Sequence, residues 1–212
     1  MTADDSITIR QCSCLDGIVG IYNLFTMMEC KSIIKNALTN WTEKEARINI
    51  DAEGKDKNLD YRNTTLYIPP FPDEWLCNTI LTTIKNFNDG ENGYGFEIEG
   101  LAEPTNVLRY QAPDIDKNGK PGKYDWHIDL GHSAPSCMRK LSFSILLNPN
   151  EYEGGEFVTK RGEETIHYAS GKAKDLTGLM ILFPSYILHK VSEVTKGTRY
   201  ACVGWVHGPS FK

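Results

Sequence analysis

The sequence predicts a mostly β protein with helices near its N-terminus, an α+β chain in which helices pack on one sheet of a jelly-roll barrel. Two observations support this fold class. Helical periodicity is confined to two stretches in the first 93 residues. From Tyr94 onward, the segments are short, β-rich and interrupted by glycine, proline or asparagine, as is typical of strands. Two helices followed by about eight strands indicate two stacked sheets.

Length and composition are those of one globular domain. The 212 residues can bury one substantial core, and no linker or change of composition marks a boundary. We therefore expect a single domain over residues 1–212, with helical support and flanking strands in 1–93 and the jelly-roll core in 94–212. The net charge of −5 argues against wrapping a nucleic-acid backbone.

The N-terminus and the cysteines give an expected location. Residues 1–6 are acidic and lack the basic start and apolar core of a signal peptide, and no apolar run approaches membrane-spanning length. The six cysteines lack the paired spacing of a zinc site, so reduced core thiols are favoured over disulfides. They are Cys12, Cys14, Cys30, Cys77, Cys137 and Cys202. We expect a cytoplasmic protein with no nucleic-acid and no membrane partner.

A first helix is predicted to begin at a capping box formed by Thr26 and Glu29, after short strands over residues 7–14 and 17–24. Apolar residues then recur at intervals of three and four, which indicates a helix face packed on the core. That face holds Met27, Cys30, Ile33, Ile34, Ala37 and Leu38. The charged stretch 42–60 that follows is irregular and reads as a solvated loop, with a flap near a pocket as the alternative.

A second helix is predicted after a strand over residues 62–69, because Pro70 and Pro72 end that strand and are typical of a helix start. Residues 88–90 end this helix. Its buried face should contain Leu76, Ile80, Thr83, Ile84 and Phe87.

Strands predicted over residues 94–99 and 106–111 lead into a turn-rich segment, 112–123. The acidic residues of this segment match the first half of a calcium-binding loop. Pro121 interrupts the second half and no helices flank the segment. A lid over a neighbouring site is therefore favoured over an ion-binding loop.

The stretch 124–131 alternates, so Asp125, His127 and Asp129 share one face of a predicted strand. His127 and Asp129 can bind one divalent ion if a third ligand arrives from elsewhere. His189, which opens a strand after a Pro-Ser turn, is available for that role. Two imidazoles and a carboxylate leave three coordination positions open, which suits oxygen chemistry at iron(II) better than a closed zinc site.

Arg199 is a cation on a face of the predicted strand 198–205 that otherwise reads as buried. A buried guanidinium needs an anion, so a ligand or protein carboxylate is expected beside it. The strand over residues 140–148 carries Ser142 and Ser144 on one face. Such small polar side chains leave room for a polar molecule inside a barrel, with a solvent-facing sheet as the alternative.

The order His-x-Asp, a distant histidine and an arginine ten residues later resembles the iron(II)- and 2-oxoglutarate-dependent oxygenases, specifically the prolyl-4-hydroxylase-like group with small bacterial and phage members. The resemblance extends from about residue 107 to residue 208. It implies a double-stranded β-helix of the cupin-like type and Fe(II) held by His127, Asp129 and His189. It also implies 2-oxoglutarate as cosubstrate and O2, with ascorbate as a further candidate.

The resemblance also implies how the cosubstrate is held. Arg199 would donate two hydrogen bonds to the distal carboxylate of 2-oxoglutarate, because a guanidinium stays charged when desolvated. The residues expected to join it are Tyr110, Ser144, Thr198 and Trp205, with ordinary core packing as the alternative for the two aromatics. Many relatives have a tyrosine where this chain has Leu146, which places one expected hydrogen bond in doubt.

The activity implied is oxidative decarboxylation of 2-oxoglutarate to succinate and CO2 with hydroxylation of an unactivated C–H bond, foremost on a prolyl residue of a peptide or protein. Asp129 predicts hydroxylation rather than halogenation, because a halide would need the position that its carboxylate fills. The alternatives are hydroxylation of a free amino acid or other small molecule, a non-catalytic cupin-like binding module, and a metal-free lectin-like jelly roll. Loops 42–60, 112–123 and 161–174 would set substrate choice.

Overall fold

A computed structural model describes residues 8–13, 17–46, 58–168 and 176–210. The helices in these ranges are α1 (Met27–Asn40) and α2 (Glu74–Asn88), and a 3-10 turn covers Ser136–Met138. The strands are β1 (Thr8–Ser13), β2 (Ile18–Tyr22), β3 (Thr42–Glu45), β4 (Arg62–Asn63), β5 (Thr65–Ile68), β6 (Asn106–Gln111), β7 (Lys123–His127), β8 (Arg139–Leu146), β9 (Tyr152–Gly154), β10 (Phe157–Arg161), β11 (Glu164–Tyr168), β12 (Met180–Pro184), β13 (His189–Val191) and β14 (Val194–His207).

The strands form two antiparallel sheets. The larger has the order β1-β2-β12-β8-β14-β6-β5-β3, with β9 paired to β14, and the smaller has the order β11-β10-β13-β7-β4. Side chains of both sheets meet in shared clusters: Phe157 of β10 packs with Leu146 of β8, and Val191 of β13 packs with Tyr110 of β6. Two sheets stacked in this way confirm the mostly β, jelly-roll prediction.

Both helices pack on the outer face of the larger sheet. Their buried residues share one cluster with residues of β2, β6, β8, β12 and β14. The capping box of α1 is present: Thr26 accepts from the Glu29 backbone, and the Glu29 carboxylate accepts from the backbone N–H of Thr26 at 2.8 Å. Helix α2 begins at an N-cap, Asp73, directly after the two prolines. Helices packed on one sheet were predicted, and the prediction is confirmed.

The predicted helix faces are correct at their centres and wrong at their margins. Cys30, Ile33 and Ala37 of α1 are buried, but Met27 and Leu38 are 54% and 44% exposed. They border a surface hollow instead of the core. In α2 the predicted apolar residues are buried and only Thr83 is partly exposed, its hydroxyl bonding back to a helix carbonyl.

Four strand predictions need correction. Part of the stretch 42–60 is an edge strand, β3, whose side chains are all exposed and therefore show no apolar alternation; residues 47–57 lie outside the described ranges. The single strand expected over 62–69 is two strands that pair in different sheets, β4 with β7 and β5 with β6. Residues 94–99 belong to no strand; instead the Asn88 side-chain amide donates to the Phe96 carbonyl and accepts from the Phe96 backbone N–H. The strand expected over 124–131 ends at His127.

The cysteines within the described side chains are free thiols, as predicted: Cys30, Cys77, Cys137 and Cys202. Burial raises the pKa of Cys30 to about 12, so this thiol stays protonated. Cys14 lies outside the described residues, and the side chain of Cys12 is likewise not described. No helix within the described ranges is long and apolar enough to cross a membrane.

Candidate metal centre and cosubstrate site

The smaller sheet brings the three predicted metal ligands together. His127 is the last residue of β7 and His189 is the first of β13, and the two are paired directly across the antiparallel ladder. Asp129 follows two residues after the end of β7. One ligand atom from each residue lies within 4.8 Å of the other two. One strand pairing therefore brings together His127 and His189, which lie 62 positions apart in the sequence.

Hydrogen bonds to the backbone fix which nitrogen of each imidazole faces the centre. His127 Nδ1 lies 2.7 Å from the carbonyl oxygen of Asp125, and His189 Nδ1 lies 2.9 Å from that of Ile187. Because a carbonyl only accepts, each Nδ1 carries the proton and each Nε2 keeps a free lone pair. Both Nε2 atoms lie 3.7 Å from an Asp129 carboxylate oxygen.

Burial sets the protonation states that a divalent ion requires. Burial lowers the pKa of His127 to about 4, and the neighbouring His189 adds to the shift. Burial raises the pKa of the Asp129 carboxyl, but His189 and His127, together with hydrogen bonds from Ser142 and Trp205, more than offset that effect. The net pKa of Asp129 is lowered. At neutral pH His127 is therefore uncharged while Asp129 is ionised, the states in which both coordinate metals.

Asp129 is held outside regular structure. The predicted strand face placed it beside His127, but the chain leaves the sheet at His127 and the backbone N–H of Asp129 donates to the carbonyl of Ser185 at 2.9 Å. Ser185 lies in the turn between β12 and β13. The turn that positions His189 therefore also supports the Asp129 backbone.

The triad borders a cavity of about 210 Å³ between the two sheets. Its wall also includes three of the residues expected around the cosubstrate, namely Tyr110, Ser144 and Trp205. The larger hollow, about 550 Å³, lies between α1 and residues 147–151. None of the triad or cosubstrate residues lines that hollow. The functional site is therefore identified by the residues that line it and not by the size of the cavity.

Arg199 is buried and is not among the residues that line the cavity. It is only 1% exposed, and its Nε and Nη2 atoms are buried without a hydrogen-bond partner among the described residues. Its guanidinium carbon lies 5.1 Å from the centre of the Tyr110 ring, which does line the cavity. Tyr152 shares this environment, since it packs with Tyr110 and its buried hydroxyl also lacks a partner there. We call Arg199, Tyr110 and Tyr152 the arginine end, and the triad the metal end.

Thr198 and Leu146 are placed away from the cavity. Thr198 follows the alternation of β14 onto the face opposite Arg199, and its carbonyl accepts from Asn148. This position does not favour a hydroxyl bond to the cosubstrate. Leu146 is buried in an apolar cluster with Phe157 and Ile181. These apolar surroundings differ from the cosubstrate contact that the resemblance implies for a tyrosine at this position.

Sequence reasoning missed several residues at the site. Tyr124 stacks on His127 with ring centres 3.5 Å apart. The guanidinium carbon of Arg62 lies over the Tyr124 ring, 4.2 Å from its centre. Arg139 lines the cavity and contacts Asp129. The two serines on one face of β8 indicated Ser142 from the sequence, whereas no sequence pattern indicates a site role for Arg139 or Tyr152.

The residues present fit an iron(II) ion and a dicarboxylate. Two imidazole nitrogens and a carboxylate converge from one side and leave the cavity side open, which is the facial triad of non-haem iron(II) oxygenases. The buried nitrogens of Arg199 provide an unsatisfied cation for a carboxylate that enters past Tyr110. A double-stranded β-helix with this triad between its sheets defines a class of mononuclear iron proteins.

Comparison with known proteins finds a matching family model. Residues 106–207 match the family described as the 2OG-Fe(II) oxygenase superfamily. Over this region the chain is similar to that superfamily, which is the family that the sequence resemblance indicated. The matched region begins at the first residue of β6 and ends at the last residue of β14, so it contains the triad, Arg199 and the cavity wall except for Arg62 and Leu66.

Curated relatives are PKHD-type hydroxylases. The chain is 41% identical over 93 residues to one from Prochlorococcus marinus, covering 43% of this chain and 39% of the relative. It is 34% identical over 113 residues to one from Hyphomonas neptunium, covering 51% of this chain and 47% of the relative. The chain therefore spans less than half the length of these two relatives.

Solved structures show the same fold. A Pseudomonas putida prolyl-4-hydroxylase aligns with a TM-score of 0.59 and 14% identity, covering 92% of this chain and 94% of that one. A Trichoplax adhaerens prolyl hydroxylase, solved with a peptide fragment of a hypoxia inducible factor oxygen degradation domain, aligns with a TM-score of 0.64 and 16% identity. It covers 91% of this chain and 84% of that one. At these identities the likeness concerns the fold.

Proposed function

We propose that this protein is an iron(II)- and 2-oxoglutarate-dependent dioxygenase that hydroxylates an unactivated C–H bond and releases succinate and CO2. The observation that carries the proposal is the convergence of His127, Asp129 and His189 on a cavity whose wall residue Tyr110 lies against Arg199, a buried cation with two guanidinium nitrogens that have no partner among the described residues. A buried cation without a protein anion is costly, and a cosubstrate carboxylate would satisfy it.

The three ligands would hold Fe(II), which supplies the oxygen chemistry when bound. His127 and His189 would bind through Nε2 and Asp129 through a carboxylate oxygen, since the other ring nitrogens already bond to the backbone. Arg199 would hold the far carboxylate of 2-oxoglutarate, and Tyr110, Ser144 and Trp205 would form the wall around it. Thr198 lies on the same strand as Arg199 but is not assigned a hydrogen bond to the cosubstrate. Ascorbate is proposed as an accessory reductant on family likeness alone.

The substrate class we propose is a prolyl residue in a peptide or protein. Support comes from the PKHD-type hydroxylases among the relatives and from the prolyl hydroxylases among structures of the same fold. Three large apolar side chains are exposed around the triad, which a peptide could cover: Ile128, Tyr186 and Leu188 are 48%, 49% and 42% exposed. A free amino acid or other small molecule is the second candidate, because the cavity itself holds only about 210 Å³.

A direct test separates the oxygenase from a binding module without turnover. Without oxygen, adding Fe(II) and 2-oxoglutarate to the protein should produce the weak visible charge-transfer band of the chelate. Admitting oxygen should then bleach that band and form succinate. A band that survives oxygen, with no succinate, would indicate a cupin-like binder. A protein that gives no band at all would contradict the proposal.

A substrate screen then distinguishes the two candidate classes. Succinate release is measured with proline-containing peptides, with the same peptides carrying alanine for proline, and with free amino acids. Stimulation by the proline peptides alone, with a mass gain of one oxygen in the peptide, is the expected result. Stimulation by free amino acids and not by peptides would replace the peptide proposal with the small-molecule one.

A further inference from the structure

Arg139, the first residue of β8, uses all three of its guanidinium nitrogens as hydrogen-bond donors to Asp129 and Glu103. Its Nη1 donates to the backbone carbonyl of Asp129 at 2.9 Å. Its Nε and Nη2 donate to the two carboxylate oxygens of Glu103, each at 2.6 Å. Such a two-pronged pair fixes the plane of the guanidinium as well as its position.

Arg139 also reaches Asp129 by a second route, through Trp205. The guanidinium carbon lies 3.7 Å from the centre of the Trp205 ring, a close cation–π contact. The Trp205 side chain is in turn one of the groups that lower the pKa of the Asp129 carboxyl, through a side-chain hydrogen bond. One arginine therefore holds the backbone of the ligand directly and orients an indole that binds its carboxylate.

The far side of this arrangement is anchored in the barrel. His207, the last residue of β14, is 2% exposed and its Nε2 lies 3.0 Å from a Glu103 carboxylate oxygen. Its Nδ1 accepts from the backbone N–H of Ala102 at 3.2 Å. Nδ1 is therefore unprotonated and the Nε2–H donates to Glu103. The series His207, Glu103, Arg139 connects the end of a long core strand to the loop that carries Asp129.

Asp129 needs such support because it is the one triad member that lies beyond the strand ladder. His127 and His189 are fixed by their pairing in the smaller sheet, whereas residues 128–131 belong to no strand. The contact from Ser185 restrains the backbone N–H of Asp129, and Arg139 restrains its carbonyl. The two contacts hold the peptide groups on both sides of the ligand.

We infer that Arg139 is a positioning residue that sets the metal affinity of the centre by fixing Asp129 through its backbone carbonyl and through Trp205. This inference rests on the proposed function, since it requires the triad to bind a divalent ion. Groups that orient a metal ligand from behind typically contribute a factor of about 10 to 100 in metal affinity. An arginine that only stabilised the fold would change the melting temperature and leave metal affinity unchanged.

The test measures Co(II) affinity, with the metal alone as the probe, by calorimetry and by the visible d–d bands of bound cobalt. We expect Arg139→Met to weaken Co(II) binding by about 10- to 100-fold and to change the band intensities, which report the ligand geometry. Arg139→Lys keeps a charge over Trp205 but loses the two-pronged contact, so its affinity should lie between.

The matched control is Arg109, which makes the same kinds of contact far from the triad. Its Nη2 pairs with Glu43 at 3.3 Å and its guanidinium carbon lies 5.4 Å from the Tyr67 ring centre. Arg109→Met should lower stability without a change in Co(II) affinity. Trp205→Phe should weaken Co(II) binding. The double variant with Arg139→Met should weaken Co(II) binding by less than the product of the two single-variant fold-changes, because both residues act on one carboxylate.

The outcomes are distinguishable from a failure of the proposed function. A wild-type protein that binds no Co(II) would refute the triad as a metal site. A wild-type protein that binds Co(II), with Arg139→Met binding equally well, would overturn the positioning role alone. If Arg139→Met gives no cooperative melt, Arg139→Lys and Glu103→Gln carry the test, and unchanged affinity and spectra in both would overturn the inference.

Discussion

At the metal end of the cavity the polar groups already have protein partners, whereas at the arginine end they do not. Both imidazole Nδ1 atoms bond to backbone carbonyls, and Asp129 is surrounded by Ser142, Trp205 and Arg139. By contrast, Arg199 and Tyr152 keep buried donors without acceptors among the described residues. Protein groups organise the metal end, while the arginine end has donors that an incoming ligand would satisfy.

This difference predicts opposite responses to mutation. Removing a group at the metal end should leave other buried groups unpaired and cost stability in the free protein. Removing a group at the arginine end should cost little in the free protein and much in the ligand complex. The following experiments test this contrast, beginning with the largest expected effect.

The largest effect is expected for His189→Ala, which should abolish detectable Fe(II) binding and succinate formation. His189 packs against Phe157 and Phe183, with ring centres 5.2 and 4.7 Å away. The cavity left behind should lower stability by about 2 kcal/mol or more while the apolar core keeps the fold. Thermal melting and anaerobic Fe(II) titration check both points. Loss of the cooperative transition would show that the ligand is also essential to the fold.

Arg199→Ala should raise the half-saturating concentration of 2-oxoglutarate by about 10- to 100-fold, since a hydrogen bond to a charged group contributes about 1.5–3 kcal/mol. Fe(II) affinity without cosubstrate should barely change. Because Arg199 Nε and Nη2 have no partner within residues 8–13, 17–46, 58–168 and 176–210, the melting temperature should not fall as it would after loss of an ion pair. Titrating succinate formation against 2-oxoglutarate measures the shift.

Arg199→Lys provides the intermediate case, because it keeps the charge and loses the planar pair of donors. An unshifted 2-oxoglutarate curve for the alanine variant, together with a lower melting temperature, would show that Arg199 has only a structural role.

Tyr152→Phe is expected to have a smaller effect of the same kind. Deleting a buried hydroxyl without a partner should leave the free protein as stable as before or slightly more stable. If the hydroxyl reaches a 2-oxoglutarate carboxylate, binding should weaken by about 2- to 10-fold, the value of one neutral hydrogen bond. Equilibrium binding of 2-oxoglutarate with Mn(II) in place of iron gives the answer without turnover. A marked loss of stability would mean that the hydroxyl has a partner in solution.

The smallest expected effect concerns acid stability. Burial raises the pKa of Glu103, but the hydrogen bond and charge of Arg139, with His207, hold it below the ordinary 4.5. Because the folded-state pKa is the lower one, Glu103 stabilises the fold above the unfolded-state pKa. That contribution is lost as pH falls through the folded-state pKa. Melting curves of the metal-free protein should therefore decline less steeply with acid in Glu103→Gln; identical slopes would contradict this.

Several features followed from the sequence because they depend on local pattern. The Thr26 and Glu29 capping box, the helix stop at residues 88–90 and the buried stripe of α2 need only neighbouring residues to be specified. His127, Asp129, His189 and Arg199 were found because few residue types bind metal or a carboxylate and their order is unusual.

Other features depended on tertiary contacts. One predicted strand became β4 and β5 because its two halves pair in different sheets, and residues 94–99, predicted as a strand, belong to no strand and instead bond to the Asn88 side chain. The sequence does not show that Arg139 contacts Asp129 or that Thr198 faces away from the cavity. The sequence by itself thus determined the fold class and the reactive groups, since composition and periodicity are local properties. Only the folded chain decided which groups meet, because register and packing join residues far apart in sequence.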